Sequence, residues 1–376
     1  MGNDADRPWV DGLTIDQVLR ETIAQNRDQL AIAFHGLNWQ RTWGELDTEI
    51  ERAARGLIAL GIDTGDHVAV WATNIPQWVI LQFATARIGA VLVAVNPACR
   101  SHELTYALRQ SDAKALFLVE SFKSSDYLDM VRQACPELKT ASDVAVHCPD
   151  FPCLQHIVLL RGSAPQWASL WNDILENGES ISGERIEEIA AGLTPSDPIN
   201  IQYTSGTTGL PKATMLSHRN LLMNAFYVGQ RQKLDSSDRI CIPVPFYHCF
   251  GCVLGNLCSA VYGSTMIIPA EFFNPTKTLE AIDRYRATVL YGVPTMFIAE
   301  LQDSHLDEFD SNSLRTGIMA GAPCVEELMR EVMDRLGARE LTIAYGLTEA
   351  SPVLTQTCTD DPLHLRIQTV GQPLPG

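Results

Sequence analysis

The chain has 376 residues, which is enough for two or more domains with a large hydrophobic core. Its 28 basic and 45 acidic residues give a formal charge of -17, which would repel a polyanion, and with no basic run this excludes nucleic acid as the expected partner. The composition, 46% hydrophobic and 19% charged, is ordinary for a soluble globular protein.

The N-terminal stretch MGNDADRPWVDG has no basic region followed by an apolar core, so it does not predict a signal peptide. No later segment approaches the ~18 uninterrupted apolar residues of a membrane span. We therefore expect a cytoplasmic protein without a membrane span, whose residues 1–13 form a polar tail.

Capping-box patterns predict the first two helices, one opened by Thr14 with Gln17 and one by Thr42 with Glu45 that runs to Gly61. Apolar runs then alternate with helical stretches. The runs predict strands within 67–73, 90–97, 115–120 and 156–162, with helices from Pro76 and from Ser101 between them. Residues 163–195 are more polar and include acidic helical stretches.

INIQY at 199–203 predicts the next strand, and a second alternating series follows the glycine-rich stretch after it. It predicts strands within 239–245, 264–270, 287–294, 316–321 and 341–346, and helices near 251–262, from Pro275 and near 325–336. Short apolar strands separated by helices are typical of parallel sheets covered on both faces. The predicted fold class is α/β, with two packed βαβ-type subdomains over residues 14–195 and 196–376 and active-site residues at the carboxyl ends of strands.

The ten cysteines are scattered, mostly within apolar stretches, which is typical of buried thiols in a reducing compartment. Cys249 and Cys252 have CxxC spacing, but no second pair stands at the distance of a zinc site. The sequence therefore does not predict zinc.

The stretch YTSGTTGLPK, residues 203–212, predicts a phosphate-binding loop at the end of a strand. Gly206 and Gly209 allow backbone N–H groups to approach an anion, hydroxyl side chains add donors, and Lys212 adds one positive charge. It is not a Walker A loop, because Lys212 follows Leu210 and Pro211. The alternative is a flexible turn without a ligand.

Three further stretches follow the loop in order: PFYHCFG at 245–251, GAP at 321–323 and YGLTEAS at 345–351. Together the four stretches resemble the motifs of the adenylate-forming superfamily of acyl-CoA synthetases, luciferases and peptide-synthetase adenylation domains. The fatty-acyl and related carboxylate CoA ligases are the most similar members. The resemblance covers the chain after residue 14 and implies the fold of the large N-terminal domain of acyl-CoA synthetases.

The resemblance implies that the loop wraps the β- and γ-phosphates of ATP. The residues concerned are Thr204, Ser205, Gly206, Thr207, Thr208, Gly209 and Lys212. Thr348 would donate a hydrogen bond to phosphate, and Glu349 would ligate Mg²⁺, a hard cation that prefers oxygen.

The resemblance also implies an adenine site, where Tyr345 stacks on the base and Gly321, Ala322 and Pro323 line it. Gly346 would let the chain pass close to the ligand.

His248 would border the carboxylate of the acid substrate; its alternative is a hydrogen-bonded core histidine. Tyr247 and Phe250 have an equal alternative as aromatic residues that only pack against their neighbours, and we favour packing for Tyr247. The apolar helix that carries Cys249, Cys252, Gly255 and Cys258 is either a wall of an acyl pocket or a plain core helix.

The implied reaction activates a carboxylic acid. The carboxylate attacks the α-phosphate of ATP, pyrophosphate departs, and the acyl adenylate passes its acyl group to the thiol of coenzyme A. Lys212, His248, Thr348 and Glu349 are the expected catalytic residues, because they would align the reactants and offset developing charge.

The resemblance breaks at the end of the chain, VGQPLPG. The family continues there with an aspartate that binds ribose, a hinge, and a small C-terminal domain that carries a catalytic lysine. We therefore expect a truncated, weakly active or inactive fragment of a medium- or long-chain fatty acyl-CoA synthetase. Alternatives are an enzyme that loads a carrier protein and a non-catalytic nucleotide-binding module; the oligomeric state is open.

A smaller departure lies beside the loop, where Ala213 stands at a position that is usually glycine in the family. The added methyl group matters only if the backbone there needs a positive φ.

Overall fold

The computed structural model describes residues 8–139, 141, 143–204 and 211–375. The described chain divides into two compact units. Unit 1 takes in the described parts of Met1–Leu13, Gln17–Leu46 and Arg219–Gly376, and unit 2 contains Thr14–Asp16 and Asp47–His218. No described helix has the length and apolar character needed to cross a bilayer.

The strands are numbered in chain order. They are β1 Leu30–Phe34, β2 Trp39–Thr42, β3 His67–Trp71, β4 Val91–Ala94, β5 Ala115–Leu118, β6 Ser121–Phe122, β7 Ser125–Asp126, β8 His156–Leu159, β9 Ser169–Leu170, β10 Pro198–Thr204, β11 Lys212–Ser217, β12 Arg239–Cys241, β13 Thr265–Ile268, β14 Val289–Gly292, β15 Thr316–Ala320, β16 Glu340–Gly346, β17 Val353–Gln356 and β18 Gln372–Pro373.

The α-helices are numbered in the same way. They are α1 Ile15–Asn26, α2 Trp43–Ala59, α3 Pro76–Ile88, α4 Ser101–Ser111, α5 Tyr127–Ala134, α6 Trp171–Asn177, α7 Gly183–Ala191, α8 His218–Gln232, α9 Cys258–Tyr262, α10 Pro275–Tyr285, α11 Pro294–Leu301, α12 Glu326–Glu331 and α13 Leu363–Gln368. Short 3-10 helices and two π-helical segments, Phe250–Leu257 and Val332–Leu336, complete the helical structure of the described residues.

Unit 1 is built on a nine-stranded sheet in the order β18-β17-β16-β15-β14-β12-β13-β1-β2. The strands from β16 to β1 pair in parallel, and the antiparallel pairs lie at the two ends of the sheet. Its parallel strands are mostly apolar because helices cover them; β13, β14 and β15 are buried at every position.

Unit 2 is built on a seven-stranded sheet in the order β11-β10-β4-β3-β5-β8-β9. Only the pair of β10 with β11 is antiparallel within this sheet. Helix α3 is buried at every position except Gln77, which explains why its sequence is apolar on all sides.

The predicted α/β class with mostly parallel sheets is confirmed. The Thr42–Glu45 capping box forms as predicted: Thr42 N donates to Glu45 Oε2 at 2.9 Å, and Glu45 N donates to Thr42 Oγ1 at 3.2 Å. The helices predicted near 251–262 and 325–336 are present, each with a π-helical segment.

The division of the chain differs from the predicted boundary between residues 195 and 196. Strand β10 pairs with β4 through Asn200 opposite Leu92, so the strand before the glycine loop belongs to the sheet of unit 2. Strands β1 and β2 were not predicted. Strand β1 joins the sheet of unit 1 because Ile32 pairs with Met266, and β2 pairs with β1.

Candidate functional site

Two of the four motifs lie at one edge of the sheet of unit 1. Strands β15 and β16 are parallel neighbours, and Ala320 pairs with Ala344 at their carboxyl ends. Gly321 follows β15 directly and Tyr345 follows Ala344, so the segments predicted to line adenine are brought to the same edge. This is the edge at which parallel α/β sheets place their ligands.

The side chains of these segments are accessible. Tyr345 is 54% exposed, and Gly321, Ala322 and Pro323 are exposed as well. Gly321 has a φ of +84°, a conformation that glycine adopts without strain. The predicted stacking surface is therefore open to a planar ring.

Gly346 is required by a close backbone approach within the protein. A Cβ atom at this position would lie 2.0 Å from the carbonyl oxygen of Pro352. The chain turns sharply here, and Leu347 N donates to the same Pro352 oxygen at 2.9 Å. The predicted reason for this glycine was the approach of a ligand; the observed close contact is with Pro352, directly before β17.

The turn between β16 and β17 presents Thr348 and Glu349 differently. Thr348 is buried, whereas Glu349 is exposed on the same 3-10 helix, Thr348–Ala350. A short helical turn thus holds a hydroxyl inward and a carboxylate outward. This arrangement suits a hydroxyl that is held in place beside a carboxylate that can reach an ion.

Asn224 on α8 holds the far side of this turn, and sequence reasoning missed it. Its amide nitrogen donates to Val353 O at 2.8 Å, and its amide oxygen accepts from Val353 N at 3.1 Å. The side chain is buried, so it acts as a fixed support. Nothing in its local sequence signals this role, since its partner is 129 residues away.

His248 is held in one tautomer by its own loop. Its Nδ1 accepts the N–H of Phe250 at 3.1 Å, so the proton of the neutral ring sits on Nε2. His248 is exposed at the surface, yet nearby protein atoms desolvate the ring enough to lower its pKa. His248 is therefore a neutral hydrogen-bond donor at neutral pH.

Cys249 connects the His248 loop to the Thr348 turn. Its Sγ lies 3.5 Å from His248 Nδ1 and 3.8 Å from Thr348 Oγ1. Burial raises the pKa of its thiol to about 11, so it stays protonated. Two motifs that are far apart in sequence meet through this sulfur.

The structure favours packing for the aromatic and small residues that follow His248. Phe250 lies against Tyr291 with ring centroids 5.8 Å apart. A Cβ atom at Gly255 would lie 2.9 Å from Ile242 Cγ2, and Cys258 Sγ donates to Ala225 O at 3.4 Å. These contacts are those of a core helix.

The described ends of the glycine loop lie in unit 2. Thr204 and Lys212 pair across the β10–β11 hairpin, so the loop starts and ends at neighbouring positions. Lys212 is exposed. The predicted loop residues Ser205, Gly206, Thr207, Thr208 and Gly209 lie outside the described residues.

Two tyrosines tie this hairpin to α4. Tyr106 Oη donates to Pro211 O at 2.9 Å, and Tyr203 Oη donates to Ala107 O at 2.7 Å. The ring centroids are 6.5 Å apart. The base of the loop is thereby fixed, and sequence reasoning did not identify either residue.

Ala213 does not need the conformational freedom of glycine. It is a residue of β11 and pairs with Tyr203 in the antiparallel ladder. Extended backbone accepts alanine without strain.

Comparison with known proteins identifies the family. The family described as AMP-binding enzyme matches residues 19–376. YngI of Bacillus subtilis, a candidate acyl-CoA synthetase by its name, is 43% identical over 362 residues, which is 96% of this chain and 66% of that protein. The mitochondrial medium-chain acyl-CoA ligase ACSF2 of Danio rerio is 41% identical, covering 95% of this chain and 59% of that protein.

Two solved structures share the fold. The anthranilate CoA ligase AuaEII, in complex with anthranoyl-AMP, has a TM-score of 0.83 at 20% identity, covering 100% of this chain and 67% of that chain. The N-terminal domain of FACL13 from Mycobacterium tuberculosis has a TM-score of 0.78 at 23% identity, covering 96% of this chain and 82% of that chain. The chain belongs to the family of AMP-binding enzymes.

Proposed function

We propose that this chain carries the acid-activating site of an ATP-dependent acid:CoA ligase that acts on medium- or long-chain fatty acids. The observation that carries the proposal is the meeting of three motifs in unit 1. Gly321 and Tyr345 share one sheet edge, and Cys249 joins the His248 loop to Thr348. A relative that is 41% identical is named a medium-chain acyl-CoA ligase, which supports the substrate class.

His248 is suited to placing the carboxylate of the acid. Its Nδ1 is occupied by the Phe250 N–H, and this leaves Nε2–H as a donor. A neutral donor orients a carboxylate without neutralising it, so the oxygen remains nucleophilic toward the α-phosphorus of ATP. Formation of the new P–O bond expels pyrophosphate, and alignment of the two reactants is the main catalytic task.

Thr348 and Glu349 are suited to phosphate and Mg²⁺. The buried hydroxyl of Thr348 is held by its contact with Cys249, and the exposed carboxylate of Glu349 supplies the oxygen ligand that Mg²⁺ prefers. The residues present therefore fit the ion, which supplies positive charge beside the phosphates when it is bound. Lys212, at the base of the glycine loop in unit 2, is suited to add a point charge for phosphate.

The chain spans 59% to 66% of the length of the two relatives, so the thiol-transfer step is assigned by family alone. We propose coenzyme A as the acceptor of the acyl group. The phosphopantetheine arm of a carrier protein is the alternative acceptor. Cytoplasmic location also stays a prediction, to be tested by cell fractionation.

The test is acid-dependent exchange between ATP and pyrophosphate, which reports adenylation without any thiol. The full chain is assayed with octanoate, dodecanoate and hexadecanoate, and then with CoA or a carrier protein. We expect slow but acid-dependent exchange with at least one of the acids, and transfer to CoA. Lys212→Ala and Glu349→Gln should each lower exchange by roughly 10²-fold, the scale of removing one electrostatic group from an active site.

Two matched variants control for loss of charge alone. Lys139→Ala removes an exposed lysine from unit 2, and Glu308→Gln removes an exposed carboxylate from another 3-10 helix of unit 1. Both should retain exchange. Stabilisation by ATP without exchange for any acid would instead identify a non-catalytic nucleotide-binding module.

A further inference from the structure

Three metal-ligating side chains meet in unit 2, outside the proposed active site. They are Cys135, which follows α5, Glu137 in the 3-10 helix Pro136–Lys139, and Cys148. One donor atom from each lies within 4.8 Å of the other two. In the described part of the chain this is the one group of three or more His, Cys, Asp or Glu side chains with that property.

Backbone hydrogen bonds hold the two cysteines in place. Cys135 N donates to Val131 O at 2.8 Å, and the carbonyl of Cys148 accepts from Phe151 N at 2.9 Å. Both thiols are buried, whereas Glu137 is exposed. The donors therefore sit on fixed turns, with one side reachable from solvent.

A hydrogen bond links two of the three side chains. Cys135 Sγ donates to Glu137 Oε2 at 3.5 Å, so a thiol and a carboxylate already lie side by side. A divalent cation bound between them would hold the sulfur as a thiolate, because a coordinating thiol loses its proton readily.

A cavity of about 750 Å³ adjoins the group. Glu137 and Cys148 line it, together with His147 and His156. The cavity thus opens the carboxylate and one of the two thiols to solvent. Two thiols with a carboxylate are ligands that zinc accepts, whereas a harder ion such as Mg²⁺ or Ca²⁺ would select oxygen ligands alone.

We propose that unit 2 contains a Zn²⁺ site in which Cys135, Glu137 and Cys148 are ligands and a water molecule from the cavity takes the fourth position. The site does not include any residue of the proposed adenylation chemistry. Zinc there would join the segment that directly follows α5 to the segment that precedes β8, because its ligands come from both.

The experiment measures Zn²⁺ binding to the purified full chain, without an affinity tag and with a reductant that is not a thiol. Zn²⁺ is titrated in competition with a chromophoric chelator, and Co²⁺ is used as a spectroscopic probe. We expect one Zn²⁺ per chain and thiolate-to-Co²⁺ charge-transfer absorption. Cys148→Ser should weaken binding by at least about tenfold, the scale of disturbing a metal's coordination shell.

Two further variants keep the outcome decisive if Cys148→Ser folds poorly. Glu137→Gln changes an exposed side chain and should also weaken Zn²⁺ binding and shift the Co²⁺ spectrum. Cys153→Ser removes an exposed cysteine nearby and should bind as the parent does. The proposal is overturned if no stoichiometric Zn²⁺ binds, if Glu137→Gln binds as the parent does, or if Co²⁺ shows no thiolate absorption.

Discussion

The Sγ atom of Cys249 lies 3.8 Å from the Oγ1 atom of Thr348, although the two residues are 99 positions apart in the chain. The contact joins the loop that carries His248 to the turn that carries Glu349. Each loop also has its own backbone hydrogen bonds. The sulfur belongs to a buried, protonated thiol, and it is one point at which the two motifs touch.

The first prediction concerns this thiol. Cys249→Ala leaves the buried Thr348 hydroxyl without its sulfur partner, so we expect a loss of about 1 kcal/mol in the free energy of unfolding and slower adenylation. Cys249→Ser retains a hydroxyl partner and should lose less. Cys252→Ala, one helical turn on, is the control; urea unfolding and ATP–pyrophosphate exchange measure the two effects. Equal exchange rates for all three variants and the parent would contradict the assignment.

The second prediction concerns the pH dependence of adenylation. The pKa of His248 is lowered from its ordinary value of 6.5 by desolvation, so the ring stays neutral at and somewhat below that pH. Protonation would put a hydrogen on Nδ1 of His248, where it would face the Phe250 N–H. We therefore expect the kcat/KM of adenylation to fall only below pH 6.5. In His248→Gln this acidic limb should disappear, whereas in the exposed His305→Gln it should remain. An acidic limb that is unchanged in His248→Gln would contradict the prediction.

The third prediction concerns the base of the glycine loop. Tyr106→Phe removes the hydroxyl that donates to Pro211 O at 2.9 Å. This should loosen the loop end of the β10–β11 hairpin, where Lys212 lies. We expect the KM for ATP to rise several-fold and the free energy of unfolding to fall by about 1 kcal/mol.

Tyr262→Phe is the matched control for this loop prediction. Tyr262 Oη donates to Phe226 O at 2.6 Å, which is the same kind of bond but far along the chain from the loop. It should show a similar loss of stability with an unchanged KM for ATP. A parallel rise in KM for both variants would mean that general destabilisation, and not the hairpin, is responsible.

The fourth prediction concerns Gly346. An alanine Cβ here would meet the carbonyl oxygen of Pro352 at 2.0 Å, so the backbone must shift. We expect Gly346→Ala to lower the free energy of unfolding by about 1–3 kcal/mol and to slow adenylation through displacement of Tyr345 and Thr348. Gly183→Ala, where the nearest atom is at 3.4 Å, should be tolerated. Thermal unfolding and exchange assays compare them, and equal behaviour would refute the steric argument.

The fifth prediction concerns acid stability. His218 Nδ1 accepts Ile15 N–H at 3.1 Å, and burial outweighs Asp197 and Asp16 to lower the pKa of His218 to about 4 from 6.5. The unfolded chain binds this proton more readily, so stability is lost as pH falls from 6.5 toward 4, by about 3 kcal/mol when complete. His218→Asn keeps an acceptor and does not titrate. Urea unfolding at several pH values should show a flatter dependence in this variant, and an identical dependence would contradict the prediction.

Elements with strong local signals were predicted closely. Helix α3 begins at Pro76, whose ring suits the first helical turn, and ends before Gly89, which adopts a φ of +72°. Strands β3, β4, β14 and β15 fall within their predicted ranges. In these elements the nearest few residues decide the conformation.

Elements that depend on distant partners were missed or divided differently. Strand β1 joins the sheet of unit 1, next to the edge strand β2, because Ile32 pairs with Met266. Asn224 has no local sign of its role, since its two bonds go to Val353. The spacing of Cys135 and Cys148 in the sequence is not that of a known metal-binding motif, and the two residues come together only in the folded chain.

By itself, the sequence determined the family, the α/β class and the order of the motifs, because glycine, proline, hydroxyl and apolar patterns act through the local backbone. Only the tertiary structure decided that the strand before the glycine loop pairs with β4 and that Cys249 contacts Thr348. It also decided that two cysteines and a glutamate lie close together in unit 2. Those contacts depend on where the chain returns after many residues, and strand pairing and core packing over the whole unit determine that path.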